Sequence, residues 1–338
     1  MPTLMYRQAL NQALREEMQR DESVFVIGED IAQYEGAYRV TEGLWKEFGD
    51  KRVRDTPIAE EVIVGVGVGA AMAGLRPVVE LMTINFSLLA IDQIVNHAAK
   101  IHYMSGGQFA IPLVIRMPEG AGMQLGAQHS QHLETWFAHV PGLKVVGPAT
   151  PYDAKGLLKS AIRDDNPVIF IENQLLYTTK GEVPEEDYTV PIGKAEIKRV
   201  LRPFDKLRAQ DDAADVTLIA YLRMVGVALK AAETLAAEGV SAEVIDLRTL
   251  RPMDVKAIVE SVKKTRRAVV VEEDWPYFGI GAQVVDFIQR HAFDYLDAPV
   301  LRDASEDTPM PYSRELELSA LPDENKVIAA VRHVLSRS

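Results

Sequence analysis

The fold of this chain is decided by residues 145–172, VVGPATPYDAKGLLKSAIRDDNPVIFIE. The stretch opens on a short apolar run, and Thr150-Pro151 then starts a helical pattern over residues 153–163. A second apolar run, 168–171, follows it and ends at Glu172. A threonine before a proline is typical of a helix start. Because strand–helix–strand units of this kind join parallel strands through a covering helix, the stretch predicts a parallel sheet.

The same alternation continues in both directions. Strand-like runs of the first half lie at 24–27, 77–81 and 113–115, and the second half alternates strands at 216–221, 242–247 and 268–271 with helical patterns at 225–238 and 254–264. Between the halves, Pro184, Pro191 and Pro203 interrupt the pattern. The predicted fold class is α/β, with two domains whose parallel or mostly parallel sheets are flanked by helices. The predicted domains are 1–180 and 215–338, joined by a linker over 181–214 whose part from 201 to 214 is expected on the surface.

Composition excludes several classes of protein. The 338 residues carry a net charge of −12 and contain no cysteine. An acidic chain lacks the excess of Lys and Arg that nucleic acid requires, and the missing thiols exclude a disulfide framework or a thiolate zinc site. The longest apolar run, 62–75, is too short to span a bilayer, and no targeting signal is recognisable. We therefore expect no nucleic acid, no membrane and a cytoplasmic location.

The glycine-rich segment Gly65-Val66-Gly67-Val68-Gly69-Ala70 formally matches the dinucleotide-binding fingerprint. That fingerprint needs a strand immediately before its first glycine, whereas residues 55–60, DTPIAE, form a turn that leads into a helix. We favour a helix whose small residues Gly65, Gly69 and Ala73 allow another helix to approach. The alternative is a nicotinamide-dependent oxidoreductase.

Two groups of residues are candidates for chemistry. Glu60 and Glu61 begin the glycine-rich helix, where a carboxylate either complements the helix dipole or acts as a buried acid beside a cofactor. His129 and His132 lie in a polar loop, where a histidine is either solvated or a general acid or base. Nothing in the sequence marks a third ligand for zinc near the two histidines.

The ordered set of motifs resembles the beta subunits of the decarboxylating component of 2-oxo acid dehydrogenase complexes. The resemblance covers nearly the whole chain and is carried by Gly28-Glu29-Asp30, residues 55–60 (DTPIAE), Asn85-Phe86, residues 103–107 (YMSGG), Gln128-His129-Ser130, residues 152–158 (YDAKGLL), residues 246–249 (DLRT) and residues 309–312 (PMPY).

The resemblance implies a pyrimidine-binding domain followed by a transketolase-type C-terminal domain. It implies an α2β2 tetramer in which thiamine diphosphate is shared with an alpha subunit that holds Mg2+ through a Gly-Asp-Gly anchor, which this chain lacks. The implied substrate is pyruvate, and the implied second partner is a dihydrolipoyl acyltransferase with its lipoyl domain. Branched-chain 2-oxo acids or acetoin are alternative substrates, and a non-catalytic scaffold subunit is an alternative role.

The resemblance also implies the roles of single residues. Glu60 would hydrogen-bond the aminopyrimidine nitrogen of the cofactor, with Glu29 nearby and Phe86 against the ring. His129 would assist acyl transfer to the lipoyl group, which makes Glu60 and His129 the catalytic pair. A potassium site is implied at Leu113, Ala161, Ile162, Asp164 and Asn166; the alternative there is a plain capped helix end over residues 164–167.

Overall fold

The computed structural model describes residues 1–200 and 214–336. The chain divides into two compact units, the first formed by Met1–Ile192 with Leu250–Pro252 and the second by Gly193–Thr249 with Met253–Ser338. Residues 201–213, expected on the surface, lie outside the described residues; Ala214, expected there as well, is buried.

The strands in the described part of the chain are β1 (Thr3–Met5), β2 (Val24–Gly28), β3 (Val53–Asp55), β4 (Arg76–Glu80), β5 (Val114–Glu119), β6 (Lys144–Val146), β7 (Val168–Asn173), β8 (Lys180–Glu182), β9 (Glu196–Val200), β10 (Val216–Ala220), β11 (Ala242–Asp246), β12 (Thr249–Arg251), β13 (Ala268–Val271) and β14 (Leu301–Asp303).

The α-helices in the same residues are α1 (Tyr6–Arg20), α2 (Leu44–Phe48), α3 (Glu60–Met72), α4 (Ile101–Met104), α5 (Glu134–His139), α6 (Pro151–Arg163), α7 (Arg223–Ala237), α8 (Val255–Thr265), α9 (Ile280–Ala292), α10 (Arg314–Ala320) and α11 (Glu324–Leu335). No helix among the described residues is long and apolar enough to cross a membrane.

The first unit is built on a seven-stranded sheet in the order β12-β6-β7-β5-β4-β2-β3. The pairs from β6 to β3 are all parallel. Every residue of β5 and of β7 is buried, as expected for central strands covered on both faces. The predicted parallel sheet, and with it the α/β fold class, is confirmed.

Helix α6 connects β6 to β7 as the opening stretch predicts. The Thr150 hydroxyl caps it by accepting a hydrogen bond of 3.1 Å from the Asp153 backbone amide, and Pro151 occupies the first turn. Its apolar side, including Leu157 and Ile162, lies in one core with α1 and the sheet. The βαβ prediction is therefore confirmed.

The glycine-rich segment forms the middle of helix α3, so the helix interpretation is confirmed. The expected packing face is wrong in part. Gly67, not Gly69, sits where a side chain does not fit, because a Cβ there would lie 2.7 Å from Cγ2 of Val79 on the sheet. Gly65 faces the side chain of Gln93, whereas nothing lies within 4 Å of a Cβ placed on Gly69. The glycine is needed against the sheet, since Val79 is a stiff β-branched side chain.

The second unit has a five-stranded sheet in the order β14-β13-β10-β11-β9. Strands β14, β13, β10 and β11 pair in parallel, and β9 is antiparallel at the edge. An antiparallel edge strand on an otherwise parallel sheet is a common arrangement.

The segment predicted as a linker contains regular structure. Strand β8 pairs antiparallel with β1, and β9 pairs with β11. Val183 and Val190 are buried, so the prolines at 184 and 191 interrupt an ordered segment of the first unit. Prolines predict where regular pairing stops, but they do not distinguish a packed loop from a free linker.

Candidate functional site

Glu29 and Glu60 lie at the carboxyl edge of the first sheet. Glu29 directly follows β2, and Glu60 is the first residue of α3. Both are buried, at 8% and 4% exposure. Burial raises the pKa of Glu29, and the negative charge of Glu60 raises it further, which requires the two carboxyl groups to lie near each other. Within the described residues, Glu29 Oε1 is buried without a hydrogen-bond partner.

Glu60 differs from its neighbour Glu61 in burial. Glu61 is exposed, although both residues stand in the first turn of α3. The exposed carboxylate interacts with the helix dipole in water, whereas Glu60 is held among buried groups. Of the two glutamates, Glu60 alone is placed to act as a buried acid.

Phe86 and His129 meet although 43 positions separate them in the sequence. Their ring centroids are 5.5 Å apart and the rings are nearly perpendicular, at 89°. Phe86 belongs to a short 3-10 segment, Ile84–Ala90, and is half-buried. His129 is exposed in the loop after β5, so its imidazole is accessible to a ligand that enters from solvent.

Polar contacts tie the loop that carries His129 to its surroundings, and two of them lie close to that residue. The Gln131 amide donates to Asn85 Oδ1 at 3.2 Å, and His132 Nδ1 lies 3.4 Å from Glu119 Oε1. His132 also lies near Glu134, and the ligand atoms of these three buried residues are within 4.8 Å of one another. His129 is not part of that group, so the two loop histidines do not form the zinc pair that their spacing allowed for.

A buried ion network connects three neighbouring strands of the first sheet, β4, β5 and β7. Arg116 donates two hydrogen bonds of 2.8 Å to Glu172 and one of 2.5 Å to Glu80. The Tyr177 hydroxyl donates to Glu172 at 2.7 Å. Burial raises the pKa of Glu80, and Arg116 opposes that effect. The sequence does not predict this network, since its signal there is a single charged residue after each apolar run.

The five residues of the implied potassium site lie at the start of β5 and around the end of α6. Asp164 is the C-cap of α6, and its carboxylate accepts from both the backbone and the side chain of Asn166 at 2.9 and 2.8 Å. Arg76 Nη1 donates to the carbonyls of Ile162 and Asp164 at 3.0 and 3.1 Å. Lys144 forms an ion pair with Asp164. The capped helix end is thus present, and two side-chain cations contact the oxygen atoms expected to hold the ion.

The chain matches two family models. The model described as "Transketolase, pyrimidine binding domain" matches residues 2–180, and the model described as "Transketolase, C-terminal domain" matches residues 205–327.

Three relatives illustrate the similarity to curated proteins. The chain is 52% identical over 335 residues to the pyruvate dehydrogenase E1 component subunit beta of Rhizobium meliloti (strain 1021), covering 99% of this chain and 70% of the relative. It is 49% identical to the mitochondrial protein of that name from Rattus norvegicus, covering 98% of this chain and 91% of the relative. Against the mitochondrial protein from Caenorhabditis elegans the identity is 52%, covering 99% and 93%.

A solved structure named "Split gene transketolase, inactive beta4 tetramer" superposes with a TM-score of 0.79 and covers 98% of each chain. At 23% identity, this similarity concerns the fold alone.

Proposed function

The chain belongs to the family of beta subunits of the pyruvate dehydrogenase E1 component, and from that premise we propose that it is the beta half of a thiamine diphosphate-dependent enzyme that decarboxylates pyruvate. The acetyl group then passes to the lipoyl group of an acyltransferase. The observation that carries the proposal is the pair of buried carboxyl groups, Glu29 and Glu60, at the carboxyl edge of a parallel sheet, where ligands of open α/β folds bind.

The residues present fit the pyrimidine side of this cofactor. Glu29 Oε1 is a buried oxygen without a hydrogen-bond partner among the described residues, and Glu60 is buried as well. Buried acceptors of this kind need a donor, which the amino group of an aminopyrimidine supplies, and its ring nitrogen can accept the proton of a carboxyl group. The half-buried ring of Phe86 offers an apolar surface for the pyrimidine. We assign the diphosphate and its Mg2+ to the alpha subunit.

When bound, thiamine diphosphate supplies a thiazolium carbon that adds to the 2-oxo carbon of pyruvate and accepts the electron pair released with CO2. Glu60 would share a proton with the pyrimidine ring nitrogen of the bound cofactor. Because Glu60 is screened from water by its burial, this proton stays between the two groups. Glu29, with its pKa raised by burial and by Glu60, adds a second protonatable group beside it.

His129 acts in the second half of the reaction. That step would pass the acetyl group to one sulfur of the lipoyl disulfide; the electron pair released by decarboxylation would break the S–S bond, and the other sulfur would take a proton. His129 is exposed in its loop, so a lipoyl arm reaches it from solvent, and its imidazole supplies that proton.

We also propose potassium as the ion at Leu113, Ala161, Ile162, Asp164 and Asn166. Main-chain carbonyls and a carboxylate are ligands that a hard cation prefers. Each carbonyl oxygen has two lone pairs, so the bonds from Arg76 to Ile162 and Asp164 leave one lone pair on each oxygen. Arg76 and Lys144 lower the affinity by repulsion, and we expect weak binding.

The test uses the chain co-expressed with its alpha subunit, assayed for CO2 release with and without thiamine diphosphate, in KCl and in NaCl. We expect turnover of pyruvate to exceed that of branched-chain 2-oxo acids and of acetoin. Glu60→Gln removes the shared proton and should lower kcat at least about a hundredfold, in the range of a lost general acid–base group. Glu61→Gln is the matched control, since Glu61 is exposed beside it, and should retain activity.

Full activity of the Glu60→Gln complex would support the scaffold role instead, and a preference for branched-chain substrates would reassign the 2-oxo acid. The compartment stays a prediction: the cytoplasm is expected from the sequence, whereas the rat and nematode relatives are named as mitochondrial. Fractionation of the source cells decides between the two.

A further inference from the structure

The loop between β5 and α5 contains backbone conformations that restrict its path. Gly120, Gly122, Gln124 and Gly126 all have positive φ, at 108°, 101°, 58° and 74°. His129 follows three residues later and is exposed, whereas Ser130 is buried. A loop of this shape holds its last residues in place and leaves the His129 side chain outside.

Asn85 makes the contact that fixes the loop next to His129. Its Oδ1 accepts from the Gln131 backbone amide at 3.2 Å, across 46 positions in the sequence. Its Nδ2 donates to the Thr83 hydroxyl at 2.6 Å, and this second bond sets which end of the amide faces the loop. Asn85 is buried, so water does not compete for either bond.

The same segment also carries the ring that His129 touches. Phe86 is the residue after Asn85, and its backbone amide donates to the Thr83 carbonyl at 3.1 Å. One short 3-10 segment therefore holds the loop two residues after His129 and places the Phe86 ring nearly perpendicular to the imidazole. The distance and angle between the Phe86 and His129 rings therefore depend on the hydrogen bond between Asn85 and Gln131.

We propose that Asn85 is a positioning residue for acyl transfer, acting through His129. The inference rests on the proposed function, in which His129 supplies a proton in that step. A second contact closes the base of the loop, since Glu119 ends β5 and lies 3.4 Å from His132. That contact keeps the loop folded, while Asn85 sets the position of the one side chain that meets the lipoyl group.

The experiment compares two half-reactions in the α2β2 complex. Decarboxylation is followed with an artificial electron acceptor, and acetyl transfer is followed with a lipoyl domain. Asn85→Leu, which removes both hydrogen bonds at similar volume, should lower kcat for lipoyl acetylation about tenfold, with a smaller loss in decarboxylation. Asn85→Asp retains the acceptor and receives a bond from the Thr83 hydroxyl, so it should recover most of the acetylation rate.

A double-mutant cycle with His129→Ala separates this inference from the proposed function. If Asn85 acts through His129, Asn85→Leu should cause no further loss of acetylation in the His129→Ala complex. Equal losses in both backgrounds, or equal losses in the two half-reactions, would overturn the role of Asn85. An unchanged acetylation rate in His129→Ala alone would overturn the proposed role of His129 and, with it, the basis of the inference.

Discussion

At the scale of the residue, burial decides which of two neighbouring carboxyl groups has a chemical role. Glu60 and Glu61 are adjacent in the sequence, and both stand in the first turn of α3, yet Glu60 is buried and Glu61 is exposed. From the sequence, a glutamate at a helix start predicts only a favourable interaction between its carboxylate and the helix dipole. The two glutamates differ in burial because of the residues that pack over α3, and no local sequence pattern predicts which residues those are.

Glu29 provides a prediction about pH. Its pKa is raised above the ordinary value of 4.5 by burial and by the charges of Glu60 and Asp30, so the folded chain binds a proton more tightly than the unfolded chain does. Its contribution to stability is complete below pH 4.5 and is lost as the pH rises through the raised pKa. Between pH 4.5 and the raised pKa, Tm should therefore fall less steeply with pH in Glu29→Gln than in the wild type.

Thermal unfolding without added thiamine diphosphate, from pH 4.5 to 8, checks this prediction. Glu61→Gln serves as the control, because an exposed carboxylate should leave the profile as in the wild type. Parallel profiles for Glu29→Gln and the wild type would show that the burial of Glu29 does not penalise its charge.

At the scale of the element, one glycine of α3 is required and another is not. A Cβ on Gly67 would lie 2.7 Å from Val79 Cγ2 and 3.1 Å from Leu113 Cδ1, whereas nothing lies within 4 Å of a Cβ on Gly69. Overpacking costs about 1–3 kcal/mol, and alanine is favoured over glycine in a helix by about 1 kcal/mol. Gly69→Ala should therefore stabilise the chain, and Gly67→Ala should be less stable than Gly69→Ala by about 1–3 kcal/mol.

Equilibrium unfolding of the two variants measures that difference, and the pair is matched because both substitutions lie in the interior of one helix. Equal stabilities would mean that Val79 and Leu113 move aside without cost, which the close packing of protein interiors argues against.

At the scale of the whole molecule, the chain provides only part of the proposed cofactor site. The groups proposed for the pyrimidine are present, whereas the Gly-Asp-Gly anchor for the metal and diphosphate does not occur in the sequence. Without that anchor, the diphosphate and its metal lose at least two charge-assisted contacts, and the loss of two such contacts lowers the affinity for the cofactor about a hundredfold. We therefore predict that the chain alone binds thiamine diphosphate with Mg2+ at least about a hundredfold more weakly than the assembly with its alpha subunit.

Titration calorimetry on the chain with and without its alpha subunit measures this difference. Tight, saturable binding by the chain alone would mean that it contains its own diphosphate site. The net charge of −12 makes such a site costly, because a diphosphate would enter an already negative field unless specific cations met it.

The sequence by itself determined the elements whose signals are local. The apolar runs of β2, β4, β6 and β7 and the Thr150-Pro151 helix start are set by neighbouring residues, and the structure has them where the patterns predict. The turn predicted before Glu60 argued against a nucleotide-binding loop for the same reason. Hydrophobic periodicity and helix capping involve residues that are close in the chain, so these elements can be predicted from the sequence alone.

Only the tertiary structure decided which polar groups meet. Asn85 reaches Gln131 across 46 positions and Arg116 reaches Glu172 across 56. Parallel strands bring such residues together through intervening helices, so the contact depends on strand order and register, not on spacing. Tertiary packing likewise buried Val183 and Val190 in a segment whose prolines indicated a linker across the surface.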